Sequence, residues 1–452
     1  METTIPKTDK VKTLSLTEVP AKTVAFYTLG CKTNQLESSA MAQNFEALGW
    51  RVVGFDDGAG VYVINTCTVT ENGDKESRRV IRRAKLSNPN AKVAVTGCYA
   101  QVAPEEVVEQ TGVDYVIGNN FKQDLHTVVS SITPTPGNPV VKVGEIDKSR
   151  VMEGATVSGL NRTRGSLKIQ DGCDYKCTYC IIWEARGASR SLPAEDIQQQ
   201  LAGMLEEGFK EVVLTGINIG QYLDLGGRDL ADLLKLLCTL DGDFRLRLTS
   251  LDPLEVTDKL IDAVVESGGK VAPHFHLSAQ SANDAVLKRM ARRHHVADME
   301  YVCNTIAEKC PDAAIASDII VGFPGETNAQ FEQTYHVLKN VPMHYLHVFS
   351  YSKRKGTPAA GYEDQVDPAV KKERANRLIA LSEAKSLAFR QGYIGKTLTV
   401  IAETDGDKGM SENYIRVTFE ETDMTIEQND LLRVEITEVT DEETVGRVIQ
   451  RL

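Results

Sequence analysis

Short apolar runs alternate with longer amphipathic stretches through most of the chain. TVAFYTLG reads as a strand and ESSAMAQNFEALGW as a helix. VYVINTC, KVAVTGC and VDYVIG are further strands, with the helices DKESRRVIRRAKLSN and APEEVVEQTG between them. Strand–helix alternation predicts an open parallel α/β sheet flanked by helices over 23–130. Residues 1–22 are polar and read as a flexible tail. Residues 131–164, opening on SITPTPGNP, read as a linker with room for an edge strand. A second alternation fills 165–390: SLKIQDGC, EVVLTGINIG, FRLRLTSL, HFHLSAQS, AIASDIIVGF and YLHVFSYS are strands separated by helices. Six strand–helix steps predict a partial or full β/α barrel. From 391 to 452 the runs KTLTVIAE, NYIRVTFEE, LLRVEITEV and TVGRVIQRL predict a small antiparallel β-barrel.

The bulk numbers bound the class without naming a function. A chain of 452 residues suggests about two to four domains. Its 42% hydrophobic and 25% charged content is ordinary for a globular protein. The longest apolar runs are strand-length, so no membrane partner is expected. The first residues carry neither an apolar signal core nor an arginine-rich transit pattern, so the expected compartment is the cytoplasm. Nine cysteines, an odd number on a long chain, argue for reduced thiols. A net charge of −12 speaks against nucleic acid, but it is unevenly spread. From Gln391 onward 6 Lys/Arg stand against 14 Asp/Glu, a net of −8, which leaves −4 for the first 390 residues. Basic clusters remain there: RRVIRRAK at 78–85, KRMARRHH at 288–295 and KRK at 353–355. Each alone reads as a solvated face; together they leave RNA binding open.

The cysteines change the picture. DGCDYKCTYC places Cys173, Cys177 and Cys180 in a C-x3-C-x2-C spacing with no fourth ligand close by. Thiolates suit zinc, copper(I) or iron–sulfur clusters. One loop of this spacing can wrap three irons of a [4Fe–4S] cluster and leave the fourth open to an external ligand. A zinc site with a distant fourth ligand, or three packed cysteines, are the alternatives. Cys31, Cys67 and Cys98 stand at or just past the ends of three separate strands. In open α/β sheets that edge binds ligands.

The C-x3-C-x2-C loop on the first barrel strand resembles the signature of the radical SAM superfamily. TLGCKTNQLES, INTCTVTENGDKESRR and VTGCYAQ resemble the N-terminal domain of the methylthiotransferases. LTGINIGQY, HLSAQS, DIIVGFPGET and HVFSYSKRKGTPAA also resemble motifs of that family, and the likeness runs from about residue 23 to the end. LGCKTNQLE, NTCTVT and HVFSYSKRKGTPA look most like the threonylcarbamoyladenosine tRNA branch. The resemblance implies a partial (β/α)6 radical SAM barrel, a TRAM-like C-terminal domain, two [4Fe–4S] clusters and S-adenosylmethionine. Cys173, Cys177 and Cys180 would hold the cluster whose open iron binds S-adenosylmethionine. Cys31, Cys67 and Cys98 would hold the auxiliary cluster. The implied reaction replaces the hydrogen on carbon 2 of an adenine beside the tRNA anticodon with a methylthio group. One S-adenosylmethionine would give the methyl group and a second the radical. The base must be splayed out of the anticodon loop to reach the site. The implied partners are tRNA, an electron donor of flavodoxin or ferredoxin type, and a sulfur donor of unknown identity.

By the same resemblance Thr215 and Gly216 would meet the amino group of S-adenosylmethionine, and Gly322, Pro324, Gly325 and Glu326 would lie beside its adenine. Ser250, Gln280 and Ser281 end strands and would face the barrel mouth. Arg186 and Arg190 would bind the cofactor's carboxylate or an RNA phosphate, with salt bridging as the alternative. His274 and His276 share one face of a strand and read as core or mouth histidines rather than ligands. Cys238, Cys303 and Cys310 read as core packing. Trp183 and Glu184 stand where the family has a proline nearby, and Glu184 would add negative charge near a cluster. Ala279 and Ala282 are smaller than the family pattern and would reshape a pocket floor. The acidic C-terminal domain is a poor phosphate binder. Two other readings stand beside this one: a methylthiotransferase for another adenosine or a protein, and a non-catalytic cluster-bearing RNA-binding protein.

Overall fold

The computed structural model describes residues 22–135, 137–146, 152, 163–403 and 406–452. The expected tail falls outside these residues except for Lys22, and the linker does so at 136, 147–151 and 153–162.

The N-terminal sheet is parallel throughout, in the order β2-β1-β3-β4-β5-β6. Its strands are β1 (Thr23–Thr28), β2 (Arg51–Val53), β3 (Val61–Thr66), β4 (Lys92–Gly97), β5 (Tyr115–Ile117) and β6 (Val140–Lys142). β2, too short to show a period, was not legible in the sequence; β6 is the edge strand within the expected linker. Every residue of β3 is buried, because helices cover both faces of the sheet. Those helices are α1 (Lys32–Ala47), α2 (Glu71–Ser87), α3 (Cys98–Val102), α4 (Pro104–Val108) and α5 (Leu125–Ser131). α2 starts where the Thr70 side chain accepts from the Gly73 N–H, with Glu71 and Asp74 in its first turn.

The central domain is a partial barrel of six parallel strands. They are β7 (Gly165–Lys168), then, past the small antiparallel hairpin β8 (Gln170–Asp171) and β9 (Arg190–Ser191), β10 (Glu211–Thr215), β11 (Arg245–Leu248), β12 (His274–Gln280), β13 (Ala314–Val321) and β14 (Tyr345–Ser350). β7, β10 and β11 form one sheet and β12, β13 and β14 another. Parallel bridges Leu246–Val271 and Leu251–Leu277 join them. The helices are α6 (Ile182–Arg186), α7 (Ala194–Glu206), α8 (Leu230–Leu237), α9 (Asp258–Val265), α10 (Asp284–Arg289), α11 (Val296–Lys309), α12 (Asn328–Asn340) and α13 (Pro368–Gln391). Alternation sorts the strand residues. Leu246, Phe275, Leu277, Ile315, Ile319 and Leu346 pack against the helices in one continuous core. The opposite face carries Arg247, His274, His276, Asp318, Tyr345 and His347, so the inside of this barrel is polar. Ala279 and Ala282 lie in the helix-side core, not on a pocket floor. Cys303 is fully buried there, and Cys238 and Cys310 pack against it.

β15 (Thr397–Ala402), β16 (Lys408–Ser411), β17 (Arg416–Phe419), β18 (Leu431–Val439) and β19 (Thr444–Arg451) close into a five-stranded barrel. The expected antiparallel pairing holds for four of its five strand pairs, and β17 and β19 pair in parallel to complete the ring. This barrel docks at the N-terminal end of the central strands. Arg245 donates to Thr399 O at 3.0 Å and Met410 O at 3.2 Å, and Arg247 to Ser411 O at 2.9 Å. Both guanidiniums share the one carboxylate of Glu211 on β10. Among the described residues no helix is long and apolar enough to cross a membrane.

Candidate active site

Cys31 caps the start of α1, Cys67 follows β3 and Cys98 opens α3. All three stand at the C-terminal edge of the N-terminal sheet. Two glycines make this possible. Gly30 and Gly97 have φ of 90° and 97°. A Cβ on Gly30 would lie 2.7 Å from Cys67 Sγ, and one on Gly97 would strike the backbone of Thr66. Only glycine turns the chain in that space. Burial first, and then Cys98 and Cys31, push the Cys67 thiol up to about 11.

Cys173, Cys177 and Cys180 lie in the loop after β8, at the C-terminal edge of the barrel. The Tyr175 N–H donates to Cys173 Sγ and the Ile182 N–H to Cys180 Sγ, both at 3.4 Å. Arg292 Nη1 donates to Cys177 Sγ at 3.5 Å. Burial, followed by the neighbouring cysteines, pushes the Cys173 and Cys180 thiols up to about 12. Each set thus brings three thiols within electrostatic reach of one another, with Arg292 donating to one of the barrel sulfurs. Such a set is poorly stable as bare thiolates and well suited to a cationic iron core, which deprotonates its thiols outright. The N–H donors are what tunes a cluster's potential. The donor sets fit iron–sulfur clusters.

The two edges face each other across a buried polar bridge. Glu37 on α1 takes Arg186 Nη1 at 2.8 Å, Lys168 Nζ at 2.9 Å and Lys122 Nζ at 2.5 Å. Asp171 takes Lys168 at 2.8 Å and Arg186 at 3.1 Å. Burial alone would raise the Glu37 carboxyl, but Arg186, Lys122 and Lys168 outweigh it and hold it well below the usual carboxylate range. Around this bridge Asn119 Nδ2 donates to Ala185 O at 2.6 Å, Arg354 joins Asp74 and Thr68, and Lys355 meets Glu106 at 2.7 Å.

This bridge corrects the expectation for Arg186. Its side chain is 1% exposed. Both terminal nitrogens are occupied, by Glu37, Asp171 and Asn34, so the side chain ties the domains together, with only its Nε unpartnered. Arg190 follows suit on Asp171 at 3.5 Å. Glu326 is corrected too. It is buried, accepts from the Gly322 N–H at 2.7 Å and pairs with Arg374 at 2.5 Å, which latches the loop after β13 onto α13. Gly322 itself has φ of 67° at the end of β13.

The other expected residues gather at the barrel's upper edge. Thr215 ends β10, buried, and Gly216 O accepts Thr33 Oγ1 of the N-terminal domain at 3.4 Å. Ser250 follows β11 and bonds His276 Nδ1 at 3.0 Å. Gln280 ends β12 with φ of 66°, where the register with β13 shifts. Glu184 is exposed on α6, and Lys176 lies over the Trp183 ring at 5.4 Å.

Sequence reasoning missed several residues here. Gln170 Oε1 accepts the N–H groups of Ile217 and Asn218 at 3.0 Å, lacing the cysteine loop to the β10 loop. Glu255, bonded to Asn218 at 3.0 Å, has its carboxyl pushed up to about 7 by burial and then by Asp252. Arg292 lay in the basic run KRMARRHH, read as a solvated face. It is in fact held by Asp252 and by Ser278 O against Cys177. Its exception to the charge pattern, an arginine after an alanine at positive φ, is visible only in the fold.

Comparison with known proteins agrees with this arrangement. Residues 23–118 match the family described as Uncharacterized protein family UPF0004, and residues 167–338 match the Radical SAM superfamily. The chain is 42% identical to the threonylcarbamoyladenosine tRNA methylthiotransferase MtaB of Bacillus subtilis (strain 168), over 89% of this chain and 91% of that one. It is 40% identical to the protein of the same name from Aquifex aeolicus (strain VF5), over 87% and 96%. It is 34% identical to a tRNA-2-methylthio-N(6)-dimethylallyladenosine synthase of Clostridium botulinum (strain Loch Maree / Type A3), over 83% and 85%. Among solved structures, the radical S-adenosylmethionine methyltransferase TsrM of Kitasatospora setae shares the fold, with a TM-score of 0.56 at 15% identity over 75% of this chain and 77% of that one. With facing cysteine sets on the two matched domains and relatives spanning nearly its whole length, the chain belongs to the radical SAM methylthiotransferase family.

Proposed function

We propose that this protein transfers a methylthio group to carbon 2 of the adenine in threonylcarbamoyladenosine, next to the tRNA anticodon. The observation that carries the reading is the facing of two three-cysteine sets across one buried bridge, in a chain 37–42% identical to MtaB enzymes over most of its length. Enzymes of this family use S-adenosylmethionine and two [4Fe–4S] clusters. When bound, they supply the methyl group and the radical that removes hydrogen from an unactivated carbon, which side-chain acid–base chemistry cannot do. Cys173, Cys177 and Cys180 would hold the cluster that takes S-adenosylmethionine; Cys31, Cys67 and Cys98 would hold the other.

The chain's own residues orient these groups. The Tyr175 and Ile182 N–H groups and Arg292 donate to the sulfurs of Cys173, Cys180 and Cys177, which would hold the cluster. Gln170 fixes the cysteine loop against the end of β10, where Thr215 and Gly216 would meet the amino group of S-adenosylmethionine. Ser250, Gln280 and Gly322 line the same edge. The polar inner face of the barrel would receive the splayed base between the two clusters. tRNA and an electron donor of flavodoxin or ferredoxin type are the partners this reading requires.

The test is nucleoside mass spectrometry of tRNA with and without the gene. Loss of methylthio-threonylcarbamoyladenosine, with its precursor accumulating, is the expected result. An unchanged level of that nucleoside would overturn the substrate. Release of 5′-deoxyadenosine by reduced, cluster-loaded protein, lost in Cys177→Ala, tests the radical step separately.

A further inference from the structure

Midway down the polar inner face of the barrel, three side chains from three adjacent strands converge. His276 Nε2 on β12 lies 3.2 Å from Asp318 Oδ1 on β13 and 3.2 Å from His347 Nδ1 on β14. Asp318 Oδ1 and His347 Nδ1 are 3.3 Å apart. The three atoms form a nearly equilateral triangle. Neither the clusters nor the bridge between the domains uses them.

Hydrogen bonds alone account poorly for this shape. Asp318 Oδ1 can accept from both rings, but an equilateral triangle sets the two donors about 60° apart, well inside the spread of that oxygen's two lone-pair directions. It also presses the two ring nitrogens together. If either nitrogen instead keeps its lone pair, that lone pair and the carboxylate oxygen repel along one edge. A cation at the centre relieves all three edges at once. A metal with nitrogen and oxygen ligands at about 2.0–2.2 Å spaces adjacent donor atoms roughly 3.0–3.5 Å apart. The observed edges fall in that range.

The supporting partner points the same way. Ser250 Oγ bonds His276 Nδ1 at 3.0 Å. When that nitrogen carries the proton, the Nε2 lone pair faces the triangle, the arrangement that orients metal-ligating histidines. Beneath the triangle His274 stacks on Tyr414 at 4.4 Å between centroids and bonds Tyr345, which closes that side. The other side is open: the His347 side chain is 49% exposed.

We infer that His276, Asp318 and His347 bind one divalent first-row metal ion of the zinc, iron(II) or manganese class, with open positions facing the barrel cavity. Two imidazoles and a carboxylate are a ligand set such ions accept, and the cysteine sets, being soft, serve a different chemistry. The open positions would take an oxygen donor, a carbonyl or carboxylate carried by the substrate. That last step rests on the proposed tRNA reaction; the ion site does not.

The experiment titrates zinc into cluster-loaded, tRNA-free holoenzyme by calorimetry, with bound zinc and iron counted by elemental analysis. Occupied clusters keep the cysteines out of the measurement. One zinc per chain with iron unchanged is expected, and at least tenfold weaker binding in both Asp318→Asn and His347→Ala. His347 is half-exposed, so its variant keeps the test sound if Asp318→Asn fails to fold. No zinc beyond background in the wild type, or equal binding in a folded variant, would leave a hydrogen-bonded triad only and overturn the proposal. Turnover plays no part in this readout, so failure of the methylthiolation reading leaves it standing.

Discussion

Arg186 is the residue on which the two domains turn. It is buried with four charged neighbours, Glu37, Asp171, Lys168 and Lys122. The other four balance in charge, but truncating Arg186 strips Glu37, Asp171 and Asn34 of buried hydrogen bonds, at about 1–3 kcal/mol for each group left unsatisfied. Arg186→Ala should therefore unfold at markedly lower denaturant, while Arg190→Ala, whose partner keeps other cations, should lose far less. Equal losses in the two melts would contradict the bridge. Cys177→Ala should lower the iron content of reconstituted protein by about half, one of two clusters. Loss of all iron would mean that the sets do not load independently. Glu211 gives the pH dependence. Burial would raise its carboxyl, but Arg247 and Arg245 hold it at about 2 against 4.5 unperturbed. A depressed carboxyl contributes stability in full above about pH 5 and loses it as the pH falls toward 2, because the unfolded chain takes up the proton first. Glu211→Gln should be less stable near neutrality and flatter between those limits; a parallel pH curve would sink the assignment.

At the scale of elements, the strand ends decide the chemistry. β1, β3 and β4 are adjacent in the sheet, so the loops that follow them deliver Cys31, Cys67 and Cys98 to one edge. The turn out of β4 works only with Gly97 at φ 97°, packed on Thr66. Gly97→Ala should destabilise by more than about 1 kcal/mol and strip the N-terminal cluster in preference to the barrel cluster. Electron paramagnetic resonance of the reduced protein would separate the two signals. Most of the longer helices were legible because their periods are local, and reciprocal caps of Thr327 with Gln330 and Asp229 with Asp232 mark α12 and α8; α3, α5 and α11 were not read. Nor were β2, β16 and the parallel pairing of β19. Strands this short carry no measurable period unless a longer apolar run surrounds them, and pairing direction is set by the closing of the ring.

At the scale of the whole molecule, charge has to be counted after pairing. Most of the basic clusters serve the fold. Arg79 pairs with Glu76, Arg83 with Asp56, Arg289 with Asp364, Arg292 with Asp252 and Arg354 with Asp74. Arg82, Lys288 and Lys353 are exposed and make no ion pair among the described residues. If tRNA is bound, these carry the phosphate contacts. Lys288→Glu should weaken tRNA binding and lower the salt dependence by about one ion, whereas Arg79→Glu should do so less. Filter binding across a salt series measures both. The small C-terminal barrel presents β15, β16 and the backbone of Glu412 to the base of the central barrel, so part of its surface is taken up by docking.

The sequence by itself determined the kinds of element, the three-part order of the chain and the six cysteines as two sets of three. The elements and Cys173, Cys177 and Cys180 rest on local signals, hydrophobic period, glycine turns and spacing within one loop, and Cys31, Cys67 and Cys98 on their place at three strand ends and the resemblance. Only the tertiary structure decided which polar residues share a site. Arg186 and Glu326 looked available from their sequence positions and proved to be held by partners 149 and 48 residues away. Arg292 looked like surface charge and stands 3.5 Å from a cysteine sulfur. His276, Asp318 and His347 meet because three parallel strands align in register across more than seventy residues of chain. A side chain's partner is fixed by the packing of whole elements, and no window of sequence contains that packing.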